Sequence, residues 1–171
     1  MKKTIQIALL GYGHVGKGFY ELFNRLRQSN LRIAAIAERT PDKLPPELRH
    51  LFQTAEQVVA RKDIDIIVEA TNTSTEAFGL VQTALQRGCR VVSANKKMLA
   101  RHLQILEPYI AAGDLRYEAA ACASLPVFRI LETFYFEEPV NSIRGIFNGP
   151  CNYLLTRMES DPRELEQLLP E

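Results

Sequence analysis

Tryptophan is absent from this chain, cysteine is scarce, and neither sign of charge prevails. Lysine and arginine number 21 against 20 for aspartate and glutamate, a net of +1 over 171 residues. Such a balance supplies no basic face for a nucleic-acid backbone or an anionic lipid surface, and no acidic tail. Neither nucleic acid nor membrane is therefore an expected partner. The three cysteines, Cys89, Cys122 and Cys151, lie far apart and form no Cys-x-x-Cys pair. That argues against a disulfide framework and fits a reducing cytoplasm. His14, His50 and His102 form no ligand cluster with them, so no zinc site is expected. No apolar run approaches the roughly 18 residues needed to span a bilayer. The start, Met1-Lys2-Lys3, leads into a short apolar stretch, Ile5 to Leu10, that contains Gln6 and has no small-residue cleavage site after it. The expectation is a soluble, cytoplasmic protein, and a hydrophobic share of 46% is enough for a real core.

What is present is a repeated alternation of strand and helix. Ile5, Ile7 and Leu9 belong to a buried-strand run that ends at Gly11. Val15, Phe19, Leu22, Phe23 and Leu26 then recur at helical spacing, and Ile33 to Ala37 forms a second strand run. Strand, helix and strand with short joints make a parallel βαβ unit. Pro41 to Pro46 reads as a loop, Glu56 to Ala60 as a short helix, Ile64 to Ala70 as a third strand, and Thr75 to Arg87 as a helix stopped by Gly88. Arg90 to Ser93 is a fourth strand. A helix over much of Lys97 to Ala112 follows, stopped at Gly113, with Pro108 expected to bend or split it. Leu115 to Glu118 is a fifth strand. Beyond it, Ala119 to Leu125 reads as loop, Pro126 to Phe136 as helix, Val140 to Phe147 as strand, and Gly149-Pro150 as the start of a helix through Met158. The expected fold is α/β: a Rossmann-type doubly wound parallel sheet over residues 1–125, then the beginning of a second α+β domain over 126–171. The chain reads as cut short relative to a complete two-domain enzyme.

The segment from Gly11 through Tyr12, Gly13, His14 and Val15 to Gly16 spells Gly-x-Gly-x-x-Gly between a strand and a helix, the context a dinucleotide motif requires. Gly11 permits the tight turn, Gly13 lets a pyrophosphate approach the backbone, and Gly16 lets the helix pack on the strand. The helix start then offers unpaired N–H groups and a positive dipole end to the phosphates. His14 contributes through its backbone more than its ring. The residue that reads the adenine ribose is expected at the end of the second strand, where Glu38 and Arg39 stand. A carboxylate suits the free 2′-hydroxyl of NAD and a guanidinium suits the 2′-phosphate of NADP. The choice stays open, with a lean to NADP because Lys43 adds positive charge beside Arg39.

Further segments carry a family resemblance: Val68-Glu69-Ala70-Thr71, Val91-Val92-Ser93-Ala94-Asn95-Lys96-Lys97, and Gly145-Ile146-Phe147-Asn148-Gly149 leading into Asn152-Tyr153. In this order, with the glycine motif, they resemble homoserine dehydrogenase over essentially the whole chain. The resemblance implies NAD(P)-linked interconversion of L-homoserine and L-aspartate 4-semialdehyde, in the threonine and methionine branch of amino-acid biosynthesis. Self-association is expected if the strand near Ile143 to Phe147 lacks internal partners, because unpaired edges recruit other chains. The resemblance further implies that Lys96 lies beside cofactor and substrate as the catalytic lysine, with Thr71, Asn72 and Ser93 on the nicotinamide side. It also implies a monovalent-cation loop in which the Glu118 carboxylate and the carbonyls of Ala121, Ala123 and Leu125 bind a sodium-type ion.

The chain departs from the family pattern in places. Cys122 and Ser124 stand where the family usually has glycines, and Pro150-Cys151 where it commonly has two threonines. Cys151 is expected to be a small packing residue, since free cysteine is usually buried. The family's downstream second lysine and acidic substrate-binding residues have no counterpart here. The alternative to an enzyme is a non-catalytic dinucleotide-binding protein acting as sensor or subunit.

Overall fold

The computed structural model describes residues 3–26, 30–122 and 125–160. The chain divides into two compact units, Met1–Ala120 and Ala121–Glu171.

The first unit is a parallel sheet of six strands. In chain order its elements are β1 (Ile5–Leu10), α1 (His14–Leu26), β2 (Leu31–Ala37), β3 (Phe52–Gln53), α2 (Ala55–Ala60), β4 (Ile66–Glu69), α3 (Thr75–Gln86), β5 (Arg90–Ser93), α4 (Lys96–Ala111) and β6 (Leu115–Arg116). The strands lie in the order β3-β2-β1-β4-β5-β6, all parallel. From β1 the chain first winds toward β2 and β3, then returns past β1 to β4 and winds the opposite way. Right-handed crossovers put the helices of the two halves on opposite faces.

Both faces carry apolar side chains because a parallel sheet is covered on both sides. On one face Ala8, Leu10, Ala35, Ile67 and Val91 pack with Val58, Val81, Ala84, Met98 and Leu106 of the helices. On the other, Leu9, Ile33 and Ile36 pack with Leu44 and Leu48, under Phe19, Tyr20 and Phe23 of α1. Cys89 belongs to the first of these clusters, and burial pushes its thiol up to about 11, so it is a protonated core residue.

Local signals set the helix ends. Thr54 and Gln57 form a reciprocal capping box at α2. Gly88 and Gly113 end α3 and α4 at φ +79, the left-handed conformation that favours glycine.

The structure departs from the sequence expectations at several points. The proline-rich stretch after β2 is two short 3₁₀ turns, Pro41–Lys43 and Pro46–Leu51, each with proline in its first turn. They bury Leu44 and Leu48, and they lead into β3, which composition alone did not signal. The strand expected at Leu115 to Glu118 ends at Arg116, and Glu118 opens a 3₁₀ turn, Glu118–Ala120. In α4 the irregular residue is His102 (φ −122, ψ 15) rather than Pro108. The His102 ring stacks on Phe78 of α3 at 3.9 Å.

The second unit contains α5 (Val127–Phe134) and α6 (Gly149–Ser160). Residues Val140 to Phe147 do not form the expected strand. A strand exists through ladder bonds to a neighbour, and no described segment pairs with this one. Asn148 caps α6, accepting from the Cys151 amide at 3.1 Å. Cys151 is exposed, not the packing residue its type suggested.

Burial makes a direct prediction. Leu106 is fully buried, whereas Leu103 on the same helix is 46% exposed. Leu106→Ala is expected to lower unfolding free energy by about 2–5 kcal/mol and Leu103→Ala by about 0.5 kcal/mol or less, measured by urea denaturation. Asp65 gives a pH prediction. Its carboxylate accepts from the Gln6 amide at 2.8 Å and from Lys3 Nζ at 2.9 Å, and these bonds hold it below the ordinary range, the backbone bond most. A lowered folded value means its stabilisation is present above the unfolded value and lost as pH falls through the folded one. Asp65→Asn should therefore flatten the loss of stability below about pH 4. Equal urea midpoints for both proteins, relative to pH 7, across that range would contradict this.

Candidate functional site

The carboxyl ends of β1 and β4 meet at the point where the winding reverses. In an open α/β sheet this switch point is where ligands bind. β1 ends at Leu10, and Gly11 turns the chain at φ +91. A side chain there would be strained, and its Cβ would lie 2.9 Å from the Ala70 carbonyl oxygen at the end of β4. The turn therefore sits directly against the neighbouring strand. Gly16 in the first turns of α1 is buried, and a Cβ on it would come within 2.0 Å of the Gly11 carbonyl oxygen. Only glycine allows this contact between helix and turn. At Gly13 a Cβ would meet nothing within 4 Å. The chain thus packs tightly behind the turn and leaves open space in front of it. Lys17 N bonds the Gly13 carbonyl at 2.8 Å as the first helical bond. The amides of the preceding turn thus have no partner within the helix and constitute an anion-binding end.

Tyr12 and Glu38 tie this turn to β2. The Tyr12 amide donates to Glu38 Oε2 at 2.9 Å, while Glu38 Oε1 accepts from the amides of Arg39 at 3.0 Å and Thr40 at 3.4 Å. The Tyr12 ring meets Tyr20 edge-on at 5.9 Å, and desolvation, then the Tyr20 phenol and the carboxylates of Glu21 and Glu47, raise its phenol above the ordinary value. His14 and Val15 are exposed at the start of α1. Arg39 and Lys43 are exposed beyond the end of β2. Glu38 is thus a strut between strand and glycine turn, and the positive groups beside it face outward.

On the other side of the switch point lies a buried polar cluster. Glu69, the last residue of β4, is 0% exposed. Its Oε1 accepts from the Thr71 amide at 2.9 Å, the Thr71 hydroxyl at 2.6 Å and Asn95 Nδ2 at 3.1 Å. Its Oε2 accepts from the Ser93 hydroxyl at 2.6 Å. Asn95 in turn donates from Nδ2 to the Thr73 carbonyl at 2.6 Å, from its amide to Ser93 Oγ at 3.1 Å, and accepts at Oδ1 from the Met98 amide at 3.1 Å. The last bond is a side-chain cap on α4. One carboxylate thereby locks the ends of β4 and β5 to the first turn of α4. Lys96 follows the cap as the first residue of that helix and is exposed, as is Lys97. Asn72 is exposed between the two strand ends.

The named residues therefore fall into groups. Gly11 to Gly16, Glu38 and Arg39 gather at the β1–β2 side, and Thr71, Asn72, Ser93 and Lys96 at the β4–β5 side. The hydroxyls of Thr71 and Ser93 point inward to Glu69. Glu118 lies in the first unit's 3₁₀ turn, Ala121 and Leu125 belong to the second unit, and Ala123 lies outside the described residues. No group of three or more His, Cys, Asp or Glu residues able to hold a metal occurs among the described residues. No helix among them is long and apolar enough to cross a membrane. Sequence reasoning gave no role to Glu69 or Asn95. The signals were an acidic residue closing an apolar strand and an asparagine just ahead of a helix.

A doubly wound sheet whose glycine turn presents helix amides at the switch point defines a dinucleotide-binding domain of the Rossmann type. The family model for the homoserine dehydrogenase NAD-binding domain matches residues 11–116, and that for homoserine dehydrogenase matches residues 126–171. The chain belongs to the homoserine dehydrogenase family. It is 32% identical to the homoserine dehydrogenase of a Synechocystis species, over 97% of this chain and 41% of that protein. It is 33% identical to the one from Mycobacterium bovis, over 93% and 38%. The crystal structure of a homoserine dehydrogenase from Thiobacillus denitrificans superposes with a TM-score of 0.83 at 28% identity, covering 98% of this chain and 42% of that one. The chain spans about two fifths of the length of the curated relatives it matches.

The glycine geometry separates two substitutions. Gly16→Ala forces a Cβ against backbone and is expected to cost about 1–3 kcal/mol or more. Gly13→Ala meets no part of the chain, so stability should change by about 0.5 kcal/mol or less while dinucleotide affinity falls. Urea denaturation and calorimetric titration of both variants measure the pair.

Proposed function

We propose that this chain supplies the cofactor-binding part of an NAD(P)-dependent homoserine dehydrogenase, which interconverts L-homoserine and L-aspartate 4-semialdehyde in the threonine and methionine branch of amino-acid biosynthesis. The observation that carries this reading is the glycine turn, closed behind by Gly11 and Gly16 and open in front at Gly13, at the start of α1. Residues present fit a dinucleotide: the amides of Gly13 to Gly16 toward the diphosphate, and Arg39 with Lys43 toward the adenine ribose. The nicotinamide, when bound, supplies the hydride chemistry. Asn95 and Glu69 hold the turn that carries Lys96. The Lys96 ammonium orients the substrate oxygen and stabilises the negative charge that develops on it. The Thr71 and Ser93 hydroxyls act through Glu69, and Asn72 lies on the nicotinamide side.

NADP is favoured over NAD. Glu38 already accepts three backbone amides, whereas Arg39 and Lys43 face outward. An exposed guanidinium matches a 2′-phosphate through charge-assisted bonds. Self-association fits the apolar side chains exposed in the second unit, among them Phe134 at 77% and Phe136 at 72%. A cytoplasmic location fits the substrate class and the free cysteines.

Calorimetric titration with NADP+, NADPH, NAD+ and NADH, together with an assay of homoserine oxidation, tests the reading. The phosphorylated forms should bind more tightly, and Arg39→Ala should remove about tenfold of their affinity, in line with one charged hydrogen bond, with little effect on NAD. Failure of all four nucleotides to bind would overturn the proposal. Binding with weak or no turnover is the outcome expected of a chain that spans about two fifths of its relatives, and robust turnover by these 171 residues would contradict that expectation. Pro150 and Cys151 in place of two hydroxyls lend support to a second reading, a non-catalytic dinucleotide-binding subunit.

A further inference from the structure

A carboxylate with 0% exposure is an expensive feature in a sheet otherwise covered by aliphatic residues. The bonds around Glu69 suit an ionised carboxylate. Ser93 Oγ accepts from the Asn95 amide, which leaves its proton for Glu69. Thr71 Oγ1 accepts from Asn95 Nδ2 at 3.4 Å, which likewise leaves its proton for Glu69. The orientation of the Asn95 amide is set independently, because Oδ1 caps the Met98 amide. With the hydroxyl protons so placed, both oxygens of Glu69 accept, the arrangement that suits an ionised carboxylate. Its donors are uncharged groups, so they satisfy the lone pairs without cancelling the charge.

The position of this charge matters. Glu69 ends β4, on the far side of the switch point from the residues that face the adenine ribose. A dinucleotide laid across the crevice with its adenine half at β2 has its nicotinamide half at β4 and β5. The nicotinamide ring carries a positive charge when oxidised and none when reduced. A fixed anion under that half attracts one form and not the other.

We propose that Glu69 is a positioning residue with a second consequence: its buried charge at the nicotinamide end biases the site toward the oxidised cofactor. The inference rests on the dinucleotide-binding reading above. By linkage, whatever the charge adds to oxidised binding it adds to the equilibrium between the two bound redox forms. A purely structural cluster would support both forms equally.

The test compares the dissociation constants of NADP+ and NADPH for the unaltered chain, Glu69→Gln and Ser93→Ala. Glu69→Gln keeps the shape and removes the charge, and should weaken NADP+ about three- to tenfold more than NADPH, the scale of one unit charge at a partly solvated edge. Ser93→Ala removes a donor and keeps the charge, so its ratio of constants should stay within about twofold of the unaltered chain. Equal weakening of both forms by Glu69→Gln, or no change in the ratio, overturns this inference while leaving dinucleotide binding intact. Failure of the unaltered chain to bind either form overturns both readings. If Glu69→Gln does not fold, difference infrared spectroscopy between the unaltered chain and Ser93→Ala reads Glu69 directly. A shifted carboxylate band supports the proposal, and a shifted band of a protonated carboxyl overturns it.

Discussion

Two parallel strands that part company at a reversal of winding leave a crevice that no short connection can fill. Here those strands are β1 and β4, whose paired residues run from Ile7↔Ile66 to Leu10↔Glu69. The next residue, Gly11, turns away from β4 toward α1, while the chain after Glu69 turns toward α3. The glycine turn and the cluster around Glu69 lie on the two sides of that divergence because parallel strands place all their carboxyl ends on one side. The aliphatic packing on the two faces serves this edge by holding the strands at fixed register. Leu9, Leu10, Ile36 and Ile67 are each exposed by 1% or less.

The two sides of the crevice are built on different principles. On the β1–β2 side, the absence of side chains makes the site. Gly16 lies against the Gly11 carbonyl, and Glu38 braces the turn through the Tyr12 amide. The amides ahead of α1 are thereby fixed in direction before any ligand arrives, which lowers the ordering cost of binding. On the β4–β5 side the site rests on buried polar side chains. Glu69, Asn95, Ser93 and Thr71 satisfy one another, so the loops after both strands and the cap of α4 form one rigid piece. On the proposed reading the first side recognises an anion and the second presents Lys96.

Much of this was legible in the sequence because period and punctuation carry local geometry. The Gly-x-Gly-x-x-Gly spacing located the turn, apolar runs located β1, β2, β4 and β5, and Gly88 and Gly113 marked helix ends. Features set by distant partners were not legible. β3 has two residues and exists because Ile36 and Ala37 offer it a ladder. Residues Val140 to Phe147 have strand composition but no described neighbour to pair with. Pro108 suggested a bend, yet the irregular backbone is at His102, against Phe78. At the site, positions 69 and 93 end two strands separated by a whole helix, and positions 71 and 95 lie two residues beyond those ends. Their convergence depends on the pairing of Glu69 with Ser93 across β4 and β5, which no spacing rule encodes.

That pairing raises an energetic question about the cluster itself. Stability alone is a poor reason for burying a carboxylate, because well-packed apolar residues of similar volume commonly do as well or better. The local alternatives were available, since Ala8, Ile67, Val68 and Val91 show that this part of the sheet accepts aliphatic side chains. What apolar residues cannot do is fix direction. Asn95 Nδ2 donates to the Thr73 carbonyl and to Glu69 on one side while Oδ1 caps the Met98 amide on the other, so the carboxylate shares in orienting the amide. The start of α4, which carries Lys96, is thus held by directed polar bonds in which Glu69 takes part. A charge adopted for orientation also exerts a field on whatever occupies the crevice above it. Positioning and electrostatic bias are, in this arrangement, two effects of one buried group.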